Sequence, residues 1–354
     1  MARIKLTHIT KRFGAHAALD DLSLEIADGE FFVLLGPTGA GKTTALRLIA
    51  GLEKPDAGSI EIGEQDARQW SAAERDVALV FQYYSLYPRY TVRQNLAFPL
   101  KSRVRNYSQA EIDDRIARAA KTLRIEQLLE RKTDRLSGGE MQRVSIGRAI
   151  VRDPRAFLMD EPLSNLDAKL REALRAELKE LQIKLRGTFL FVTHDQIEAM
   201  SMGDKVGVLN KGKIVQVGTP YEIYNRPKNT FVAGFVGSPT MNLIPAEISG
   251  GRLVAMSGKL QLPAPGQDGR RTVTIGIRSE DIRVGPREPL DARVHDIENH
   301  GVEKIVTLRV EDQAFRATVP AGLALAIDRS VKFGFNVEKL HCFDAESGAN
   351  LAFS

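Results

Sequence analysis

At 354 residues the chain is long enough for two ordinary domains and can bury a core of normal size. Lys and Arg number 50 against 45 Asp and Glu, a net charge of +5 that is scattered along the chain, which argues against a nucleic-acid partner. The single cysteine, Cys342, excludes an intramolecular disulfide and a cysteine-rich metal site, and fits a reducing compartment.

No apolar run approaches the roughly 18 residues of a spanning helix, and Met1-Ala2-Arg3-Ile4-Lys5 lacks the apolar stretch of a secretory signal. The expectation is a cytoplasmic protein whose membrane role, if it has one, comes through a partner.

Ile4, Leu6 and His8 alternate, as do Leu22, Leu24 and Ile26, and predict a β-rich edge. Asp28-Gly29 turns into Phe31-Phe32-Val33-Leu34-Leu35, which has the character of a strand covered on both faces. A glycine-rich loop follows, then a helical pattern through Lys42, Leu46, Ile49 and Leu52. From about 91 to 155 the pattern is mostly helical: Ser108 with Glu111 forms a capping-box signature, and the charged, amphipathic run continues to Glu130. Strand character returns at Ala156-Phe157-Leu158-Met159 and at Thr188-Phe189-Leu190-Phe191-Val192, separated by a predicted helix over 168–186. Strands alternating with helices predict an α/β core with a largely parallel sheet. After Gly237-Ser238-Pro239, short alternating segments at 272–277, 305–310 and 331–335 predict a second, all-β domain, a small barrel.

Gly36-Pro37-Thr38-Gly39-Ala40-Gly41-Lys42-Thr43-Thr44 matches the G-x-x-x-x-G-K-[ST] phosphate-binding loop, between an apolar strand and a helix. Its glycines let backbone N–H groups turn inward around phosphates, and the helix N-terminus adds positive potential there. Lys42 suits the β- and γ-phosphates, and the Thr43 hydroxyl suits Mg2+. Asp160-Glu161 ends the next apolar strand. Asp160 is placed to hold Mg2+, and Glu161 to orient or deprotonate an attacking water. Two acids after a strand are more often a helix N-terminus or an exposed turn, and it is the upstream loop that favours the catalytic reading. Leu136-Ser137-Gly138-Gly139-Glu140 forms another capping box, which alone means only a well-capped helix. Two glycines in a first turn cost helix propensity, though, and fit a backbone that a ligand approaches closely.

The order of phosphate loop, Gln82, Leu-Ser-Gly-Gly, Asp160-Glu161 and His194 resembles an ATP-binding-cassette (ABC) transporter ATPase over the whole chain. The fold class this implies is a P-loop α/β ATPase at 1–236, with a helical subdomain near 91–155, and an OB-like all-β regulatory domain at 237–354. Phe81-Gln82-Tyr83-Tyr84-Ser85-Leu86-Tyr87-Pro88, Glu161-Pro162-Leu163-Ser164-Asn165-Leu166-Asp167-Ala168-Lys169-Leu170-Arg171 and Gly234-Phe235-Val236-Gly237-Ser238-Pro239-Thr240-Met241-Asn242 are similar to the maltose and glycerol-phosphate importer subgroup.

The resemblance implies ATP and Mg2+, and a role for each matching residue. Phe13 stacks on adenine, although an aromatic after a strand is as often plain packing. Gln82 senses Mg2+ and the γ-phosphate, and the segment after it touches a membrane subunit. Ser137, Gly138 and Gly139 close over the γ-phosphate held by an opposite chain. Asp167 communicates across that dimer, and His194 contacts the γ-phosphate. Implied partners are a second ATPase subunit, identical or not, two polytopic permease subunits and, indirectly, an extracytoplasmic solute-binding protein. The location implied is peripheral, on the cytoplasmic face of the inner membrane.

Ala40 replaces a frequent cysteine, Thr43 a frequent serine, and Glu140 a usual glutamine, all without loss of the chemistry. Ser279 stands where proline is usual, and His295 to Gly301 departs from the common pattern, which weakens inference about solute or regulation. The expected function is ATP hydrolysis for a sugar, polyol or glycerol-phosphate importer. The alternatives are a polyamine, amino-acid or ion importer, or a non-transport ABC ATPase. The last usually carries two fused cassettes or long coiled coils, whereas here there is one phosphate loop and no sustained heptad pattern.

Overall fold

Alternating apolar residues build an antiparallel hairpin from β1 (Ile4–Phe13) and β2 (His16–Ile26). The alternation breaks at His8, where φ is +51° and the register slips between Leu6 and Ile9. This bulge leaves His8 exposed and returns Ile9 to the core. The computed structural model describes residues 1–102, 106–263 and 271–351, so parts of the expected helical segment (103–105) and all-β segment (264–270, 352–354) lie outside the described residues.

Strand β3 (Phe31–Leu35) is buried at every position and has parallel neighbours on both sides, which accounts for its unbroken apolar run. Each such Leu, Val or Phe contributes about 1.5–3 kcal/mol of burial. Helix α1 (Lys42–Ala50) follows the glycine-rich loop. Its C-terminal carbonyls are satisfied by Arg75, only 1% exposed, whose Nη1 donates to Leu48 O and Ile49 O. Strands β4 (Ala57–Ile62) and β5 (Gln65–Asp66) complete a four-stranded antiparallel sheet.

Helix α2 (Ala72–Arg75) leads into β6 (Val77–Val80). Three helices then start from capping boxes: α3 (Val92–Ala97) at Thr91/Gln94, α4 (Gln109–Leu123) at Ser108/Glu111, and α5 (Gly138–Ile150) at Ser137/Glu140. Helix α4 stops short of Glu130 because Arg124 turns left-handed and its N–H caps Ala120 O and Lys121 O. The chain re-enters the core as β7 (Ala156–Asp160), α6 (Ala168–Leu185), β8 (Phe189–Thr193), α7 (Gln196–Met202), β9 (Lys205–Asn210) and β10 (Lys213–Gly218).

The central sheet runs β10-β9-β3-β8-β7-β6, parallel except for β10 at its edge. Phe31 and Phe157 both stack on Phe189, at 5.5 and 4.5 Å between ring centroids, and lock the neighbouring strands together. The carboxyl ends of β3, β7 and β8 therefore deliver the phosphate loop, Asp160-Glu161 and His194 to one side of the sheet, where open α/β sheets bind ligands.

These elements form one unit, Met1–Pro220; the other is Tyr221–Ser354. The second unit carries helices α8 (Pro220–Asn225) and α9 (Thr230–Phe235). Its strands are β11 (Asn242–Ser249), β12 (Arg252–Ala255), β13 (Leu260–Pro263), β14 (Arg271–Ile277), β15 (Ile282–Val284), β16 (Leu290–Asn299), β17 (Glu303–Val310), β18 (Gln313–Pro320), β19 (Ser330–Phe335) and β20 (His341–Asp344). They form two antiparallel sheets, β13-β12-β11-β14-β20 and β15-β19-β16-β17-β18, around one shared core that includes Ile244, Ile275, Val306 and Phe333. This is the all-β domain expected from the sequence. Arg278, 3% exposed, pins the two short helices to it: it donates to the carbonyls of Tyr224, Ala233 and Val236 and lies 4.0 Å over the Tyr224 ring. Among the described residues no helix is long and apolar enough to cross a membrane.

Candidate functional site

A cleft of about 590 Å3 opens at the carboxyl edge of the central sheet. Thr38, Gly39, Gly41, Lys42, Thr43 and Thr44 line its base, and Asp160, Glu161, Gln82 and His194 its wall. Phe13, 48% exposed, stands at the rim, where a planar base has room to stack. Gly36, Pro37 and Ala40 do not line the cleft; they shape the loop behind it. Gly36 N–H donates to Thr193 O (3.3 Å), Ala40 N–H to Pro37 O (3.2 Å), and the Ala40 carbonyl accepts from Gly212 N–H (2.9 Å). Gly41 is obligatory: its φ is +107°, and a Cβ there would collide with the Ala18 carbonyl.

Lys42 is buried, and its Nζ donates to Gly36 O (2.9 Å) and Pro37 O (3.1 Å) while lying 3.5 Å from Glu161 Oε1. The ammonium is thus held at the cleft by two carbonyls and one carboxylate. The Thr43 hydroxyl donates to Asp160 Oδ1 at 3.0 Å. Burial pushes the Asp160 carboxyl above its usual range, against the Thr43 hydrogen bond, which lowers it. Gln82 Nε2 donates to Ser164 Oγ at 3.2 Å, which leaves its amide oxygen as the atom for a cation. Hydroxyl, carboxylate and amide oxygen form a hard donor set that fits Mg2+.

Glu161 takes a left-handed backbone, φ +45°, unusual for a side chain with a Cβ. Its N–H donates to Val192 O (3.0 Å), its carbonyl accepts from Ser164 Oγ (2.9 Å), and its Oε2 lies 2.9 Å from His194 Nδ1. The turn thus throws the carboxylate between Lys42 and His194.

Ser137, Gly138, Gly139 and Asp167 lie in the same unit but outside this cleft. Ser137 caps α5 reciprocally with Glu140: its N–H donates to Glu140 Oε2 at 2.8 Å, and its Oγ accepts from Glu140 N–H at 3.4 Å. Gly139 has a packing reason within the chain, because a Cβ there would lie 2.8 Å from Leu170 Cδ2. Asp167 caps α6, accepting from Leu170 N–H at 3.0 Å.

The sequence reading missed His16 and Ala18, which line the cleft, and the role of Ser164. His16 had a signal, since it opens β2 directly after the turn that follows Phe13. Ser164 had none, because its partner Gln82 is 82 residues away.

The family model for ABC transporters matches residues 19–164, the MalK OB fold domain 237–282, and the TOBE domain 275–343. The chain belongs to the ATP-binding subunits of ABC transporters: it is an ABC ATPase with a C-terminal OB/TOBE domain. It is 46% identical to the sn-glycerol-3-phosphate import ATP-binding protein UgpC of Cereibacter sphaeroides, over 99% of this chain and 100% of that one. It is also 46% identical to the trehalose/maltose import ATP-binding protein MalK of Thermococcus litoralis, over 98% and 99%. The dimeric post-hydrolysis state of the ATP-binding cassette MJ0796 bound to ADP and Pi is similar in fold, with TM-score 0.55 and 32% identity over 61% of this chain and 98% of that chain.

Proposed function

We propose that this chain is the ATP-hydrolysing subunit of an importer for a sugar, polyol or glycerol-phosphate-type solute, working at the cytoplasmic face of the inner membrane. The observation that carries the catalytic reading is the convergence of Lys42, Glu161 and His194 within hydrogen-bond or ion-pair distance at the foot of one cleft. The solute class is supported by the names of the full-length relatives, which are import ATP-binding proteins for such solutes.

In this reading the loop from Gly36 to Thr44 wraps the phosphates with its N–H groups and the α1 N-terminus, and Lys42 leaves its carbonyl partners to neutralise them. Phe13 stacks on the base. Thr43, Asp160 and Gln82 hold Mg2+, which supplies charge neutralisation for the transferred phosphoryl group. Glu161 takes a proton from, or orients, the attacking water, and His194 fixes the carboxylate and faces the γ-phosphate.

Ser137, Gly138, Gly139 and Asp167 serve the cleft of a second copy or a homologous chain, consistent with their position outside their own. Residues 83–89 carry exposed Tyr83 and the Tyr87 ring, a surface for one of two permease subunits. A solute-binding protein outside the membrane completes the system. We assign 1–236 to the ATPase, with the helical subdomain near 91–155, and 237–354 to a regulatory domain. The OB family match begins at 237, although α8 and α9 cluster with the β-rich unit.

The test is affinity purification of the Glu161→Gln protein from its native membrane in the presence of ATP. Recovery of two polytopic subunits supports the importer, and recovery of a ribosome or nucleic acid overturns it.

A further inference from the structure

Two loops bring catalytic side chains to the cleft, and one guanidinium joins them. Arg171 lies on the first turn of α6, outside the cleft, 28% exposed at its side chain. Its Nη2 donates to Leu166 O at 3.1 Å and Ser164 O at 3.4 Å, the backbone that descends from Glu161. Its Nη1 donates to Asp195 Oδ2 at 3.3 Å, and its Nε lies 3.9 Å from Glu198 Oε1. Asp195 directly follows His194 and caps α7, accepting from Ile197 N–H at 2.7 Å. Glu198 is only 3% exposed, and its Oε2 accepts from Thr193 Oγ1 at 2.5 Å. Thr193 Oγ1 in turn accepts from Asp195 N–H at 2.9 Å. His194 is thus bracketed by Thr193 and Asp195, which are tied to each other and, through Glu198 and Asp195, to Arg171.

We infer that Arg171, with Glu198 as its buried counter-charge, is a positioning residue for ATP hydrolysis: its planar fork fixes the loop of Glu161 against the loop of His194. Two carbonyls on one side and the Asp195 carboxylate on the other take N–H bonds from the two Nη atoms, with Glu198 in ion-pair range of Nε, a spread that a lysine ammonium does not reproduce. The Arg171 guanidinium itself makes no contact with the phosphate loop, which meets this network only through the backbone bond from Gly36 N–H to Thr193 O, so the clamp acts chiefly on the turnover step. Burial pushes the Glu198 carboxyl above the usual range, and the Thr193 hydrogen bond, then Arg171 and Arg175, oppose that shift. Misplacement of a catalytic group by about 1 Å costs about 100-fold in rate.

The inference rests on the catalytic reading of Glu161 and His194, and the experiment separates the two. Arg171→Met, Arg171→Lys, Glu198→Gln and Glu161→Gln are made in the full chain, and kcat and KM for ATP are read together with nucleotide affinity and Tm. The expected result is a kcat about 10- to 100-fold lower in Arg171→Met, with KM and nucleotide affinity unchanged. Arg171→Lys recovers part of the rate, and Glu198→Gln loses about tenfold. A kcat within about twofold of the parent in folded Arg171→Met overturns the clamp, as does loss of nucleotide affinity in step with rate. If Arg171→Met does not fold, Glu198→Gln carries the same decision. Full activity in Glu161→Gln instead defeats the catalytic reading, whatever the arginine variants do.

Discussion

The Nδ1 of His194 lies 2.9 Å from Oε2 of Glu161, and the other oxygen of that carboxylate faces Lys42 at 3.5 Å. One carboxylate therefore contacts both the group suited to bind phosphate and the group that reaches over it. Glu161→Gln keeps the shape and removes the proposed base. Its kcat is expected to fall by about 10²–10⁴ while ATP still binds. Steady-state ATPase assays beside equilibrium nucleotide binding check this, and an unchanged kcat removes Glu161 from its role.

Asp160 gives a pH-dependent prediction for stability. Its folded-state pKa is raised, chiefly by burial, so the folded protein holds this proton more tightly than the unfolded chain does. The favourable contribution is complete below the unfolded Asp value of about 3.9 and is lost as pH rises through the folded value. At neutral pH the wild type therefore bears the cost of a half-buried charge. Asn still accepts from Thr43 without that cost. Without nucleotide, Asp160→Asn is expected to melt about 2–4 °C higher at pH 7, the shift ~1 kcal/mol produces in a domain of this size. The gap should close as pH falls below about 4. Melting curves across that range decide it, and a variant less stable than wild type at pH 7 refutes the argument.

Gly139 separates packing from ligand approach. A Cβ there meets the end of the half-buried Leu170 side chain, which can shift, and alanine gains helix propensity, so Gly139→Ala is expected to destabilise the chain by no more than about 1 kcal/mol. Adding Leu170→Ala makes room, so Gly139→Ala should cost less in that background than in the parent, a non-additivity that thermal melts measure directly. If nucleotide on another chain also approaches this backbone, the repaired protein still hydrolyses ATP slowly. Full ATPase recovery would leave packing as the whole reason for the glycine.

Much of the site was legible because it is local in sequence. The loop from Gly36 to Thr44 declares itself by spacing, and Asp160-Glu161 by following an apolar strand. What was not legible depends on pairs far apart in the chain. Gln82 meets Ser164, Gly139 meets Leu170, and Arg75 closes α1 from 27 residues beyond Leu48, all set by how sheet and helices stack. The fold divides the same way. Capping boxes mark α4 and α5, whereas the equivalent box at Thr91/Gln94 that starts α3 went unread, and α4 ends early on a left-handed arginine that carries no glycine signal. In β1 the bulge at His8 interrupts an alternation that sequence alone extends.

Tyr224 offers a spectroscopic check on the second unit. Burial, then its hydrogen bond to Glu280 at 2.6 Å, pushes the phenol up to about 12. Below the unfolded value near 10 the folded form gains from this, and the gain disappears as pH passes the folded value. An ultraviolet titration should therefore find Tyr224 still protonated at about pH 11, and Glu280→Gln should return it toward the normal range, while Tyr84, which burial alone raises, is left as it was.

The capped end of α5 and the phosphate cleft occupy separate places in one chain. In the proposed pairing, each reaction centre takes its phosphate loop from one polypeptide and its serine-glycine helix end from the other. Two kinds of inactive chain, one spoiled at Lys42 and one at Ser137, should then restore each other. In a mixed pair both injuries fall on the same centre and leave the second centre whole. Neither protein turns over alone, and their mixture does, so damage in this molecule is counted per centre rather than per chain.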